Sequence, residues 1–362
     1  MPAVFINPYL ILPGVLAFAA LYYITEKFAD ISKETIIILI IIAYLISAGV
    51  ILKVTSQNYQ VGQINLAKDS GWHPTARQEV WFLSSLLVDS EKNQYYFSQT
   101  YDPGIGSILT LVSLDGKKKY KEFFPQSEGL AITKNQFNFN QLVSGYFDSQ
   151  QVFSQSIFSY QLLANFFDGY LRLSLDQKDK SEILTLTTSG RVPLPNNQAI
   201  YYYALPDLKT TGQILFKNEK VSLVSGQSWL EHYWSDSKIN YQGWSGLDLV
   251  LTDGTKMTVF VFDYGQDKAI LYGTKFKNGI SQRFTQAKIK AINFWESPVT
   301  KNRYLSELEL NNQELNFSLK LKAGQPDQEI IGQAAWEGPL SVSGEIDGQK
   351  VSGWASFREA SY

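Results

Sequence analysis

The sequence predicts an all-β, antiparallel fold preceded by a membrane-spanning helical hairpin, and three observations carry that reading. After residue 70 the chain is a succession of short alternating apolar runs; 14% of all residues are aromatic; and Asp-Gly turn dipeptides recur between the runs. The first 55 residues differ in kind, with two nearly uncharged apolar stretches. Within the β-rich part the segment GQSWLEHYWSDSKINYQGW, from Gly226 to Trp244, stands out, because it holds three of the eight Trp and one of the two His.

Composition narrows the function. With 362 residues and 44% hydrophobic content the chain can bury more than one core. Its formal net charge of -2 shows no excess of positive charge, so no nucleic-acid partner is expected. There is no Cys, which excludes disulfides, thiolate nucleophiles and Cys-based metal sites. With His73 and His232 the only histidines, a metal site would need carboxylates to complete it; neither a metal nor another cofactor is expected.

Taken in order, residues 9–24 and 35–52 are the two apolar runs, separated by Glu26, Lys27, Asp30, Lys33 and Glu34. Each approaches the roughly 17 to 25 residues that span a bilayer. The second is apolar on every face, which suits lipid better than one-sided packing, and no Lys or Arg precedes Lys27 to begin a secretory signal. Residues 1–55 are therefore expected to anchor the protein in the membrane with two transmembrane helices. Pro8, Pro13 and Gly14 leave an interfacial first segment as the alternative. Lys27 and Lys33 in the loop balance Lys53 and Lys68 beyond it, so the side on which the large domain lies is undecided. Residues 56–70 read as a polar linker.

Strand-like runs follow at 79–88, 94–100, 107–114, 170–175, 183–188 and 199–204, then at 213–216, 247–251, 257–262, 269–273, 304–310 and 315–321. Asp253-Gly254 and Asp347-Gly348 signal hairpins, and the lysines of 117–121 read as the protected edge of an exposed strand. Roughly three hundred residues of strand exceed one small barrel and suit two domains. They are expected at 71–205 and 206–362, divided near Pro206.

Several segments together resemble the AttH/carotenoid 1,2-hydratase family: His73-Pro74 with Glu79 and Trp81; Tyr202, Tyr203, Pro206 and Gly212; Trp229, His232, Trp234, Gly243 and Trp244; Asp253-Gly254; and Trp336, Glu337, Gly338, Val342, Gly344, Gly348, Val351 and Gly353. The resemblance runs from about residue 69 to the C-terminus and implies two lipocalin-like antiparallel β-barrels. It also implies a long apolar ligand, isoprenoid, polyene or lipid, and a hydratase, isomerase or cyclase activity. Where the family pattern reads Trp, any residue, Asp, His, Glu, Trp, Gly, this chain reads Trp229, Leu230, Glu231, His232, Tyr233, Trp234, Ser235.

Protonating an alkene needs a carboxylic acid kept neutral by apolar surroundings, then a base for the attacking water. Glu231 is the candidate acid and His232 the auxiliary base. His73, Trp81, Trp229, Tyr233, Trp234 and Trp244 are the candidate ligand-binding residues. Strand alternation divides them: in an extended strand Trp229, Glu231 and Tyr233 face one way, and Leu230, His232 and Trp234 the other. An inward Glu231 favours acid catalysis; an inward His232 with Trp234 favours polar anchoring in an apolar pocket. The competing roles are a lipid-binding or transfer protein beside the bilayer, and a packed structural module of a membrane complex. Oligomeric state is not encoded in any feature of the sequence.

Overall fold

Period-two alternation over most of the chain leaves strands as the main way to satisfy the backbone. The computed structural model describes residues 64–125, 130–132, 139–141, 145–152, 157–177, 183–266, 268–330, 332 and 334–361. The expected transmembrane hairpin lies outside these residues, and among them no helix is long and apolar enough to cross a membrane. The helix they contain is a single turn, α1 (Leu66–Asp69).

The first sheet is built from β1 (Gln78–Asp89), β2 (Gln94–Asp102), β3 (Gly106–Ser113), β4 (Lys119–Pro125), β5 (Leu130–Ile132) and β6 (Phe139–Gln141). It continues with β7 (Gly145–Val152), β8 (Ile157–Phe166), β9 (Gly169–Gln177), β10 (Arg191–Pro193), β11 (Ala199–Phe216) and β12 (Ser222–Ser235). The second contains β13 (Gly243–Leu251), β14 (Lys256–Asp263), β15 (Ala269–Lys277), β16 (Ile280–Phe284) and β17 (Lys288–Glu296). β18 (Arg303–Asn312), β19 (Phe317–Ala323), β20 (Glu329–Ile330), β21 (Ala335–Ile346) and β22 (Gln349–Ser361) complete it.

The order is β4-β3-β2-β1-β12-β11-β9-β8-β7-β6-β5 in one sheet and β16-β15-β14-β13-β22-β21-β19-β18-β17 in the other, with β10 beside β11 and β20 beside β21. In each, the last strand folds back antiparallel to the first, β12 on β1 and β22 on β13. Each sheet curls around its own apolar cluster as a lipocalin-like half-barrel. Pro206 lies inside β11, where the register with β12 shifts between Leu205 and Leu208, and the chain passes from one sheet to the other between Ser235 and Gly243.

Turn chemistry follows the sequence. Asp347 and Gly348 have φ of 51° and 76°, the two positive angles that a tight hairpin between β21 and β22 requires. The run 183–188, expected as a strand, is a loop with a single bridge from Leu184 to Ala204. Its apolar side chains Leu184 and Leu186 anchor it between the sheets instead, and Gly190 then turns the chain at φ 77°.

Parity along each strand decides where a side chain goes. Leu83, Phe97, Leu109, Leu162 and Leu173 fill the first half-barrel; Leu249, Met257, Leu310, Leu319 and Ala355 fill the second. A third cluster, including Tyr202, Trp229, Val250, Phe260 and Phe262, lies between the sheets. Each fully buried side chain of this kind contributes about 1.5–3 kcal/mol, an upper estimate for a compact unfolded chain.

Candidate functional site

β12 separates the predicted site residues by alternation. Leu230 and Trp234 belong to the first half-barrel's core, and Trp229 belongs to the cluster between the sheets. No register shift interrupts the pairing of β12 with β1, so Glu231 and His232 point to opposite faces and meet different partners.

On the inner face, register brings Trp81 of β1 and Tyr203 of β11 opposite His232 from either side. The Trp81 ring stacks on His232 at 4.2 Å and 12°, and Tyr203 meets it edge-on at 5.5 Å. Trp234 stacks in turn on His73, at 4.1 Å and 7°. Glu79, on the same face of β1 as Trp81, supplies the carboxyl. Its Oε1 lies 2.9 Å from His232 Nε2 and 2.8 Å from His73 Nδ1, and its two oxygens accept the His73 backbone N–H at 3.1 and 3.0 Å. α1 closes the cluster: the Asp69 carbonyl lies 2.9 Å from His232 Nδ1. Glu79 is 5% exposed and His232 0%.

The hydrogen bonds fix a proton count. A carbonyl only accepts, so His232 Nδ1 donates to Asp69. The remaining contact, Nε2 to Glu79 Oε1, then needs a hydrogen of its own, either on an imidazolium or on a protonated Glu79. Burial pushes the His232 pKa down more strongly than Glu79 raises it. Burial also pushes Glu79 up, but hydrogen bonds from His232 and His73 outweigh it and leave that carboxyl below its usual range. One proton is thus contested between the two groups. His73 is held above its ordinary value: burial lowers it, and Asp69 and Glu79 together raise it further.

His73, Glu79 and His232 each offer a ligand atom within 4.8 Å of the others, so these three could hold a divalent cation. Their donor set, two imidazoles and one carboxylate, is one that zinc accepts. Deeper in the same half-barrel, Gln99 faces Leu83 across the β1–β2 pair and donates to Ser107 at 3.0 Å. Its carbonyl oxygen is buried and accepts no hydrogen bond among the described residues. Such an acceptor suits a water or a ligand hydroxyl.

On the outer face of β12, Glu231 Oε1 accepts hydrogen bonds from the Tyr202 hydroxyl and Trp229 Nε1, both at 2.9 Å. Arg358 of β22 reaches Glu231 Oε2 at 2.7 Å and bonds Asp248 of β13 with the same nitrogen. Its guanidinium also lies 4.3 Å from the Phe82 ring centroid. Burial and the neighbouring Glu231 push Asp248 well above the usual carboxylate range. Glu231 therefore ties the two sheets together. Tyr233 and Trp244 belong to this same interface, each with its ring 5.9 Å from that of Phe82.

The structure thus assembles His73, Trp81, His232 and Trp234, and places Glu231, Trp229, Tyr233 and Trp244 on the other side of the sheet. Glu79 was missed as a site residue, although period-two spacing alone puts it on the face of Trp81. Asp69 comes from the linker, where nothing in the sequence marks it. Asp248 and Arg358 were also missed, and the signal was an acid within the apolar run of 247–251.

Comparison with known proteins agrees with the fold. The AttH-like family profile matches residues 146–355, more than half of the chain. A candidate AttH from Nitrosomonas europaea superposes with a TM-score of 0.69 at 20% identity, covering 84% of this chain and 98% of its own. Kievitone hydratase from Nectria haematococca gives the same TM-score at 16% identity, covering 84% and 94%. At such identities the likeness carries the fold alone. Among curated proteins none matches the sequence.

Proposed function

The chain belongs to the AttH-like family, and from that premise we propose that it is a hydratase-type enzyme taking a long apolar ligand into its first half-barrel. The observation that carries this reading is the contested proton between His232 and Glu79, buried among Trp81, Trp234 and Tyr203. Aromatic faces stabilise a developing carbocation through their quadrupoles. Water addition needs a proton delivered to one alkene carbon, a water oxygen bonding to the other, and that water's surplus proton returned. The His232–Glu79 pair is suited to lend and recover the proton, and Gln99 Oε1 to seat the water. The hydratase named among the structural neighbours supports the reaction class; it does not identify a substrate.

The test uses the full-length protein and the apolar extract of its native membrane. Glu79→Gln is expected to lower hydrated product by about 100-fold or more, the range of a lost general acid or base. Glu231→Gln should keep product formation per folded molecule, because its partners lie between the sheets. Equal activity of Glu79→Gln and wild type would reject the assignment.

A second reading is favoured by one feature: both His232 nitrogens and both Glu79 oxygens are already engaged inside the protein. A fully paired cluster suits polar anchoring by a binding or transfer protein. Recovery of bound ligand chemically unaltered after prolonged incubation would favour that role. We also infer that residues 9–24 and 35–52 anchor the protein at the bilayer from which an apolar ligand would come. Release of the protein by alkaline carbonate washing, without detergent, would contradict the anchor.

A further inference from the structure

The mouth of the second half-barrel holds a cavity of about 670 Å³ that the chemistry above leaves unused. Strand parity fixes its lining. On β22, Ala355 and Phe357 enter the second core, so Glu359 points the same way. On β13, Leu247 and Leu249 do so, and Ser245 follows; on β14, Met257 and Val259 do so, and Val261 and Asp263 follow. Ala269, in line with Leu271 on β15, extends the apolar wall. Glu359 sits on the strand that folds back onto the first strand of its sheet, as His232 does in the other sheet.

Glu359 is unusual for a carboxyl in such a position. Its Oε1 accepts the Leu305 N–H at 2.6 Å, and no cation is among the groups that set its charge. Burial, opposed by that one hydrogen bond, pushes it up to about 7. The surrounding groups are accounted for. Tyr304, raised to about 12 by burial, stays neutral and donates to Glu329 Oε1 at 3.0 Å. Asp263, at the rim, accepts the Gly265 N–H at 2.7 Å. Arg303 also lines the cavity, with its guanidinium 4.7 Å from the Phe294 ring centroid. Arg358 faces the opposite side, toward Glu231 and Asp248. With Glu359 ionised, two carboxylates and one guanidinium therefore line the cavity.

We propose that this cavity is a second ligand site, taking a small primary amine with an apolar body. The ammonium binds between Glu359 and Asp263, and the body lies against Val261 and Ala269. Binding requires Glu359 ionised, so the competent fraction falls about tenfold between pH 8 and pH 6.

Calorimetric titration of the full-length protein with phenethylamine tests this at both pH values. Wild type should bind saturably at pH 8 and about tenfold more weakly at pH 6. Glu359→Gln, which retains an acceptor for Leu305, should bind weakly and equally at both. Val261→Trp, which fills the cavity from its apolar side, should lose binding, while Glu79→Gln should bind as wild type does. The proposal is overturned by equal wild-type affinity at the two pH values, by wild-type binding in Glu359→Gln or Val261→Trp, by loss of binding in Glu79→Gln, or by no saturable binding at pH 8.

Discussion

Two buried ionic clusters on opposite faces of one strand behave differently. The Glu231–Arg358–Asp248 cluster is a lock between sheets. Arg358→Met should cost about 3–5 kcal/mol in denaturant unfolding, because it strands two buried carboxyls without their cation. Adding Glu231→Gln and Asp248→Asn should restore most of that loss, and failure to restore it would mean that Arg358 acts through packing rather than charge. The histidines give a pH signature. Burial lowers His232, so the unfolded chain gains its proton first, and the stability His232 lends is lost as pH falls below its ordinary 6.5. His73 has the opposite sign, since its raised pKa adds stability on acidification and loses it as pH rises through the folded value. Thermal melting from about pH 7 to pH 5 should therefore flatten in His232→Gln and steepen in His73→Gln. The same slope in both variants would contradict the pairing described for Glu79.

At the scale of the strand, alternation explains both what the sequence made legible and what it hid. The opposition of Glu231 to His232 follows from a period of two, and so does the company of His232 with Trp234. Which face turns inward does not follow, because both faces of β12 are buried, one in a half-barrel and one between sheets. Asp69 was hidden for another reason: its contact with His232 spans 163 residues and depends on the folded position of α1. Pro206 resembled a boundary because proline interrupts ladders, yet here it marks an irregularity inside β11. Close strand packing also sets Gly226, where a Cβ would come within 2.0 Å of the Leu86 carbonyl oxygen. Gly226→Ala should lower stability by about 1–3 kcal/mol through that overlap, measured by denaturant unfolding, and an unchanged midpoint would show that β1 and β12 can separate there.

For the molecule as a whole, two half-barrels with the same fold-back topology carry different polar ends: a histidine and glutamate pair in one, a protonatable glutamate without a histidine in the other. Family membership fixes the architecture, while these ends set the chemistry open to each half. The measurement that bears most directly on the first is incubation of the full-length protein with an apolar extract of the cells that make it in oxygen-18 water, followed by mass spectrometry. The account predicts one apolar species converted to a product heavier by a single labelled water, formed by wild type and Glu231→Gln and absent with Glu79→Gln. A discrete apolar ligand retained by wild type with no labelled product would contradict catalysis and leave the first half-barrel a carrier.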